Sequence, residues 1–181
     1  DIIHDLKKDG STYLMTGLLN RRGFEERAGL MLAGAGTGPI SMVYCDIDHF
    51  KAINDAHGHA AGDGVIKEFA VLLAAEMRAD DIAGRIGGEE FAILLPDADI
   101  DGARAFSERV RRNLERSRFE GLQEHQGVTA SFGIATRNGQ EHLHDLTRRA
   151  DKMLYVAKRS GRNCVRPQEN TVVDLRSQAK A

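Results

Sequence analysis

The sequence predicts an α/β domain in which a mixed sheet of about five strands is flanked by helices. Short apolar segments with strand character alternate along the chain with longer segments of helical periodicity. Two of the apolar runs are separated by a short segment that contains two glycines, which is typical of a β-hairpin. The chain has 181 residues and is 41% hydrophobic and 29% charged, which is sufficient for one soluble globular domain with a single core.

The first half of the chain begins with a helix and a buried strand. Apolar residues recur at helical spacing from Asn20 to the glycine-rich segment 34–39. The apolar run 40–45 is the first predicted strand, and residues 49–56 form a short helix that a glycine ends. Residues 63–78 have the strongest helical pattern, and their apolar stripe consists of Val65, Ile66, Phe69, Leu72, Leu73 and Met77.

A β-hairpin is predicted at the middle of the chain. Its strands are the apolar runs 82–86 and 91–95, and Pro96 ends the second of them. Gly87 and Gly88 lie between the runs and tolerate positive φ angles. We therefore expect a two-residue turn of the primed type.

The second half of the chain adds two helices and two strands. Residues 101–114 have helical periodicity, and residues 128–135 alternate as a strand does. A last long helix begins near residue 143 and ends at Gly161, which we expect to be its C-cap residue. Cys164 and Val165 are expected to pair at an edge of the sheet.

Three segments are distinguished along the chain. Residues 1–11 have the character of the end of a linker helix that enters from an upstream domain, residues 12–165 form the folded domain, and residues 166–181 form a flexible tail. No run reaches the roughly 18 apolar residues of a membrane span, and the first residues lack the apolar core of a signal peptide. We therefore expect no direct membrane contact and a cytoplasmic location, with the cytoplasmic part of a membrane-bound sensor as the alternative.

The charge of the chain argues against binding to a nucleic acid polymer. The net charge is −2, so the sequence provides no long basic surface for a polyanion. A single nucleotide requires only a local basic cluster. Small anionic ligands therefore remain compatible with this composition.

Carboxylates are concentrated at two strand ends. Asp46 and Asp48 end the first predicted strand on one face, because strand side chains alternate with a period of two. Glu89 and Glu90 follow the two glycines of the hairpin and are expected to point to opposite faces. Carboxylate oxygens gathered at a strand end favour a hard cation such as Mg²⁺.

Other metal sites fit the same segment poorly. An EF-hand beginning at Asp46 would need glycine where Lys51 stands and glutamate where His57 stands. A zinc site formed by His57, His59 and Asp63 would have a histidine spacing of two, which suits neither a helical pair nor a usual zinc motif. We expect His59 to support the loop instead.

Two ordered motifs identify a family. The segment D-I-D-H-F-K-A-I-N-D-A-H-G-H-A-A-G-D, residues 46–63, followed by R-I-G-G-E-E-F, residues 85–91, resembles the GGDEF family of diguanylate cyclases in its GGEEF variant. The segment M-T-G-L-L-N-R-R-G-F-E-E, residues 15–26, is similar to the opening signature of that family, except that Tyr13 occupies a usually acidic position. The resemblance covers residues 12–165 and implies a palm-like fold shared with adenylyl cyclases and polymerases.

The resemblance implies a metal site and catalytic residues. The carboxylates of Asp46 and Glu89 and the backbone carbonyl of Ile47 correspond to the ligands of Mg²⁺, for which Mn²⁺ is the alternative. Glu89, Glu90 and Lys51 correspond to catalytic residues. Asp48 adds negative charge nearby, and the resemblance gives it no definite role.

The resemblance also implies contacts to GTP. Asn54 and Asp63 correspond to the residues that read guanine, whereas helix capping alone would also explain Asp63. The implied contacts to the triphosphate are the side chains of Lys51, Lys158 and Arg162 and the backbone N–H groups of His49 and Phe50. Lys158 and Arg162 would alternatively complement the dipole at the end of a helix.

A second ligand site is implied at a distance from the first. Arg78 and Asp81 have the R-x-x-D spacing and the register to G-G-E-E-F of the inhibitory product site in the family. Arg109 corresponds to a further arginine that contacts bound product. By itself, a pair of charged residues three positions apart is a common surface feature.

The function implied is the condensation of two GTP molecules to cyclic di-GMP and two pyrophosphates. Each domain holds one GTP, so the resemblance implies a homodimer, inhibition by cyclic di-GMP, and control by a sensory or receiver domain upstream. One alternative is a catalytically silent domain that binds GTP or cyclic di-GMP and regulates a partner. A cyclase or polymerase acting on another base is disfavoured by Asn54 and Asp63.

Overall fold

The computed structural model describes residues 16–123 and 127–168. The helices are α1 (Arg21–Ala33), α2 (Phe50–His57), α3 (His59–Glu76), α4 (Ile100–Arg116) and α5 (Leu143–Arg159). The strands are β1 (Ile40–Ile47), β2 (Ile82–Arg85), β3 (Glu90–Pro96), β4 (Ala130–Thr136) and β5 (Val165–Arg166). The predicted linker helix, Tyr13 and nearly all of the predicted tail lie outside the described residues. No helix in the described part of the chain is both long and apolar enough to cross a membrane.

The predicted mixed five-stranded sheet is confirmed. The strand order is β2-β3-β1-β4-β5, and all neighbours are antiparallel except β4 and β5. Strand β1 is at the centre, and all eight of its residues are buried. The strand therefore forms the middle of the core, and its C-terminal end carries Asp46.

Helices cover both faces of the sheet. Alternate residues of β1 enter two separate apolar clusters, because strand side chains point to opposite faces. Val43, Cys45 and Ile47 pack with apolar residues of α3 and α4, whereas Met42 and Tyr44 pack with residues of α1 and α5. The domain is thus a three-layer arrangement in which α5 and α1 share one face.

The predicted hairpin is present, but its turn differs from the expectation. Residues of β2 and β3 pair from Ile82 and Leu94 to Arg85 and Phe91. The N–H of Ile86 then donates to the carbonyl of Glu90 at 2.8 Å, which leaves three residues in the connection instead of two. Neither glycine of this connection has a positive φ. The expected two-residue primed turn was wrong, because the register of the strands places Ile86 opposite Glu90 instead of Glu89, which leaves Gly87, Gly88 and Glu89 in the connection.

The long helix begins earlier than its apolar stripe indicates. Gly58, with φ of 87°, turns the chain directly from α2 into α3, which begins at His59. The predicted start at Asp63 was wrong, because the first turn of α3 carries no apolar stripe and was invisible to a periodicity argument. Asp63 lies in the second turn and is exposed, so it does not cap this helix.

Strand β4 and helix α5 are in close contact at Gly133. A Cβ atom at this position would overlap the backbone of α5 at Ala150 and Leu154, and it would lie 2.7 Å from the carbonyl carbon of Met153. Backbone atoms of a helix cannot move aside as the end of a side chain can. The absence of a side chain at position 133 therefore sets how deeply α5 is seated on the sheet.

We expect Gly133→Ala to lower the free energy of unfolding by about 3 kcal/mol, the upper end of the usual cost of overpacking, because the added methyl group must displace α5. Gly29→Ala is the matched control, since Gly29 lies within α1 and an added Cβ there meets no atom within 4 Å. That substitution should leave stability unchanged or raise it by up to about 1 kcal/mol. Urea denaturation measures both values, and equal midpoints for the two variants would contradict the close-packing argument.

Candidate nucleotide-binding site

The acidic residues of the two predicted strand ends come together at one end of the sheet. Asp46 is opposite Glu90 in the pairing of β1 with β3. The next residue, Ile47, donates its N–H to the carbonyl of Glu89 at 3.2 Å. The connection of the hairpin therefore lies directly beside the end of the central strand.

Asp46 is a buried carboxylate that is paired with Lys158 of α5. The Nζ atom of Lys158 lies 2.5 Å from a carboxylate oxygen of Asp46, and Asp46 is only 6% exposed. Burial raises the pKa of Asp46 to about 6, the ion pair with Lys158 opposes this rise, and the charges of Glu89 and Glu90 add to it. Further positive charge near Asp46 would therefore stabilise its ionised carboxylate.

A cation has only a small set of ligands at this position. Within residues 16–123 and 127–168, no group of three or more His, Cys, Asp or Glu side chains is arranged to hold a metal ion. The predicted set of two carboxylates, Asp46 and Glu89, with the carbonyl of Ile47 consists of hard oxygen donors, which suits Mg²⁺. Such a cation would need further oxygen ligands from solvent or from a bound phosphate.

Asp48 differs from Asp46 in its surroundings. Its carboxylate accepts hydrogen bonds from the hydroxyl groups of Thr129 and Ser131, both at 2.7 Å, and from the N–H of Asn163 at 3.0 Å. The residue is 5% exposed, and its acceptor positions are largely occupied by uncharged donors. Asp48 therefore connects β1, β4 and the segment after α5. Because its oxygens already accept these hydrogen bonds, it is poorly placed to bind a metal ion.

The start of α2 provides unpaired backbone donors. His49 is its N-cap, has φ of 54°, and makes no capping hydrogen bond through its side chain. The first N–H groups of the helix, beginning at Phe50, thus have no side-chain acceptor there. Lys51 is exposed in the same turn. This combination of free N–H groups and a cation is suited to an anion.

Helices α2 and α3 meet at Asn54. Its side-chain oxygen is buried without a hydrogen-bond partner among the described residues, and it lies so close to Gly62 that a Cβ there would overlap it. Asp63, the next residue, is exposed at the same junction. The two residues predicted to read guanine are thereby brought together, with the amide fixed by contact with α3.

Arg162 lies just beyond α5, close in sequence to Lys158. Gly161, Arg162 and Asn163 all have positive φ, and the N–H of Arg162 donates to the carbonyl of Ala157 at 3.1 Å. This is the Schellman pattern that ends a helix; the C-cap is Ser160, and Gly161, the predicted C-cap residue, follows it. The side chain of Arg162 is exposed.

The three residues of the predicted product site lie together at the other end of the strands. Arg78, Asp81 and Arg109 line one cavity of about 360 Å³. Arg78 donates to a carboxylate oxygen of Asp81 at 3.5 Å and to the carbonyl of Pro96 at 2.5 Å, and Arg109 is paired with Glu76 at 2.7 Å. Because Pro96 is opposite Ile40, six residues along β1 from Asp46, the cavity is roughly 20 Å from the acidic end.

Sequence reasoning missed the residues that support the site. Thr129, Ser131 and Asn163 hold Asp48, and Gly62 makes room for Asn54. The available signal was physical: a buried carboxylate requires hydrogen-bond donors, and any that its own segment does not supply must come from elsewhere in the chain. Their positions in the chain follow only from the pairing of β1 with β4.

Comparisons with known proteins agree with this geometry. The family described as "Diguanylate cyclase, GGDEF domain" matches residues 14–164. The diguanylate cyclase VdcA of Vibrio cholerae is 40% identical over 166 residues, which is 90% of this chain and 48% of VdcA. The chain thus spans less than half the length of this relative.

Solved structures are similar over nearly the whole domain. The coiled coil and GGDEF domain of DgcB from Caulobacter crescentus, in complex with c-di-GMP, is 32% identical with a TM-score of 0.83, and the match covers 90% of this chain and 87% of that one. The active GGEEF domain of a diguanylate cyclase from Vibrio cholerae is 34% identical with a TM-score of 0.75, covering 84% and 99%. With its acidic strand ends, its α2 and α3 junction and its match across residues 14–164, this chain belongs to the GGDEF family of diguanylate cyclase domains.

Proposed function

We propose that this domain condenses two molecules of GTP to cyclic di-GMP and two pyrophosphates. The observation that carries the proposal is the convergence, at one end of β1, of the Asp46–Lys158 pair with the hairpin acids Glu89 and Glu90. VdcA, which is 40% identical, is named a diguanylate cyclase. Both cysteines are free thiols, as is usual in a reducing compartment, and we place the reaction in the cytoplasm.

Guanine is bound by Asn54 and Asp63 in this proposal. The amide of Asn54 has its oxygen turned into the protein, so its NH₂ group is the end available to a base. An NH₂ group donates to the O6 atom of guanine, and the carboxylate of Asp63 accepts from N1 and N2. Adenine has an amino group at position 6 and no N1 proton, so it satisfies neither residue.

The triphosphate is bound by positive charge from two helices. Lys51 and the first N–H groups of α2, with His49 and Phe50, provide donors from one side. Lys158 and Arg162 provide cations from the end of α5. Charge-assisted hydrogen bonds of this kind orient phosphate oxygens and lower their mutual repulsion.

Asp46, Glu89 and the carbonyl of Ile47 would hold Mg²⁺ or Mn²⁺. Bound there, such an ion would supply positive charge to the phosphates and would lower the pKa of the attacking hydroxyl group. Burial is the main cause of the raised pKa of Asp46, so a cation bound beside it would stabilise its ionised form. Lys158 offsets part of the negative charge of these acids, whereas Glu90, opposite Asp46, adds to it.

The reaction requires two domains. The 3′-oxygen of one GTP attacks the α-phosphorus of the other, the bond to the β-phosphate oxygen breaks, and pyrophosphate leaves while the hydroxyl proton passes to a base or to solvent. A second, symmetric attack closes the ring. Because one domain has residues for a single GTP, the acting species is a homodimer, in which a further domain of the longer protein controls the encounter.

Product inhibition acts through the cavity of Arg78, Asp81 and Arg109. An arginine can bind a phosphate or the Hoogsteen edge of guanine, and an aspartate accepts from N1 and N2 of the same base. The DgcB domain was crystallised in complex with c-di-GMP, which supports a ligand of this class for the family. The distance to the acidic end makes the control indirect.

Asp46→Asn and Glu89→Gln should each lower turnover at least a hundredfold (~2.7 kcal/mol), because each removes charge from the cation site. Asp46→Asn should nevertheless be as stable as the wild type or up to about 3 kcal/mol more stable, since burial disfavours its charged form. Product analysis after incubation with GTP and Mg²⁺, with thermal melting, tests both. The exposed Asp80→Asn is the control.

Retained turnover in either variant would rule out the metal assignment. Wild-type protein that binds GTP or cyclic di-GMP but releases no pyrophosphate would favour the silent regulatory domain.

Specific activity should fall on dilution of the isolated domain, because productive encounters need two copies. A fusion of the domain to a dimeric coiled coil is the control, since tethering holds the local concentration in the millimolar range. Its specific activity should stay constant over the same dilution series. Activity of the unfused domain that is independent of concentration would contradict the dimeric mechanism.

Arg78→Ala should weaken binding of cyclic di-GMP about ten- to a hundredfold, as expected for loss of a charge-assisted hydrogen bond. Initial turnover, before product accumulates, should not be lowered. Arg112→Ala is the control, because Arg112 is an exposed arginine of α4 that does not line the cavity. If calorimetry gives the same affinity for Arg78→Ala as for the wild type, the R-x-x-D pair is only a surface ion pair.

A further inference from the structure

We propose that Asp48 is a positioning residue that holds the turn of Arg162 and Asn163, so that Arg162 is directed to the triphosphate of bound GTP. The inference rests on the proposed function, because it concerns how one of the phosphate-binding side chains is placed. Nothing in the D-x-D motif distinguishes this role from that of a second metal ligand. The distinction comes from the contacts of the carboxylate.

The carboxylate of Asp48 has little capacity left for a cation. One oxygen accepts from Ser131 at 2.7 Å, and the other accepts from Thr129 at 2.7 Å and from the N–H of Asn163 at 3.0 Å. Asp48 is 5% exposed, and these three donors are uncharged. The N–H of Asp48 also donates to the carbonyl of Thr129 at 2.8 Å, which fixes its backbone.

The turn after α5 is one that needs to be held. Arg162 and Asn163 have φ angles of 63° and 46°, and left-handed backbone is unfavourable for residues with a Cβ atom. Such a conformation persists only where the surroundings determine it. The hydrogen bond from the N–H of Asn163 to Asp48 ties the second of these residues to the end of β1.

Asn163 is anchored on its other side by α4. Its side-chain oxygen accepts from Arg111 at 3.0 Å, and its amide nitrogen donates to Glu115 at 2.5 Å. These contacts orient the side chain, whereas the bond to Asp48 orients the main chain that carries Arg162. Asp48 therefore joins the main chain of this turn directly to the end of β1 that holds Asp46.

The test is a double-mutant cycle of Asp48→Asn with Arg162→Ala. Calorimetry measures binding of a GTP analogue with a methylene group between the α and β phosphorus atoms, which cannot be turned over, and of GMP. We expect each single variant to weaken binding of the analogue about tenfold and to leave GMP binding unchanged. In the Arg162→Ala background, Asp48→Asn should have no further effect, because it acts through Arg162.

Thr129→Val is the second variant, since it removes a donor from the same Asp48 oxygen that binds Asn163 and changes little in shape. It should weaken binding of the analogue by a smaller factor, again without affecting GMP. This keeps the proposal testable if Asp48→Asn does not fold, as judged by thermal melting.

Three results would overturn the proposal. They are unchanged binding of the analogue by Asp48→Asn, an equal loss of GMP binding, or a full effect of Asp48→Asn in the Arg162→Ala background. The last two would assign Asp48 a purely structural role. If the wild-type domain binds neither analogue nor GMP, the proposed function itself fails, and this inference fails with it.

Discussion

The buried charge of Asp46 is the constraint on which the rest of the site depends. All of β1 is buried, and the carboxylate at its end has a pKa raised to about 6, so its charged form is costly to the fold. Lys158 compensates in part, which requires α5 to be seated on the sheet at a fixed depth. The packing of α5 on β4 therefore also determines where Lys158 lies relative to Asp46 at the end of β1. If only the stability of the fold mattered, an apolar residue at position 46 would be sufficient.

The outline of the fold could be predicted because its main elements have distinct hydrophobic patterns. The central strand is an uninterrupted apolar run, and the hairpin strands flank two glycines. The hairpin turn could not be predicted, since glycine permits positive φ without requiring it, and pairing of the strands decided the loop length. The start of α3 was misplaced because the turn of the backbone at Gly58 starts the helix before its apolar stripe begins.

The residues of the candidate site could be predicted where they belong to a sequence motif. The residues that support them through tertiary contacts could not. Asn54 and Asp63 lie nine positions apart, and the structure brings them to one helix junction. Asp48 belongs to the same motif as Asp46, but its partners are 81, 83 and 115 positions away. Only the register of β1 with β4 and the turn after α5 bring them together. No local pattern in the chain encodes that difference between two aspartates.

Gly133 has a consequence for any attempt to rebuild this domain. Where side chains separate a helix from a sheet, a change of one residue can be absorbed by repacking, and the helix settles at a new height. At Gly133 the two backbones touch, so there is no intervening layer to repack. Helix α5, which carries Lys158, therefore cannot settle at a different height above the sheet at this point. A designer who transfers this chemistry to another scaffold would have to keep a glycine at the position of Gly133 as well as the lysine.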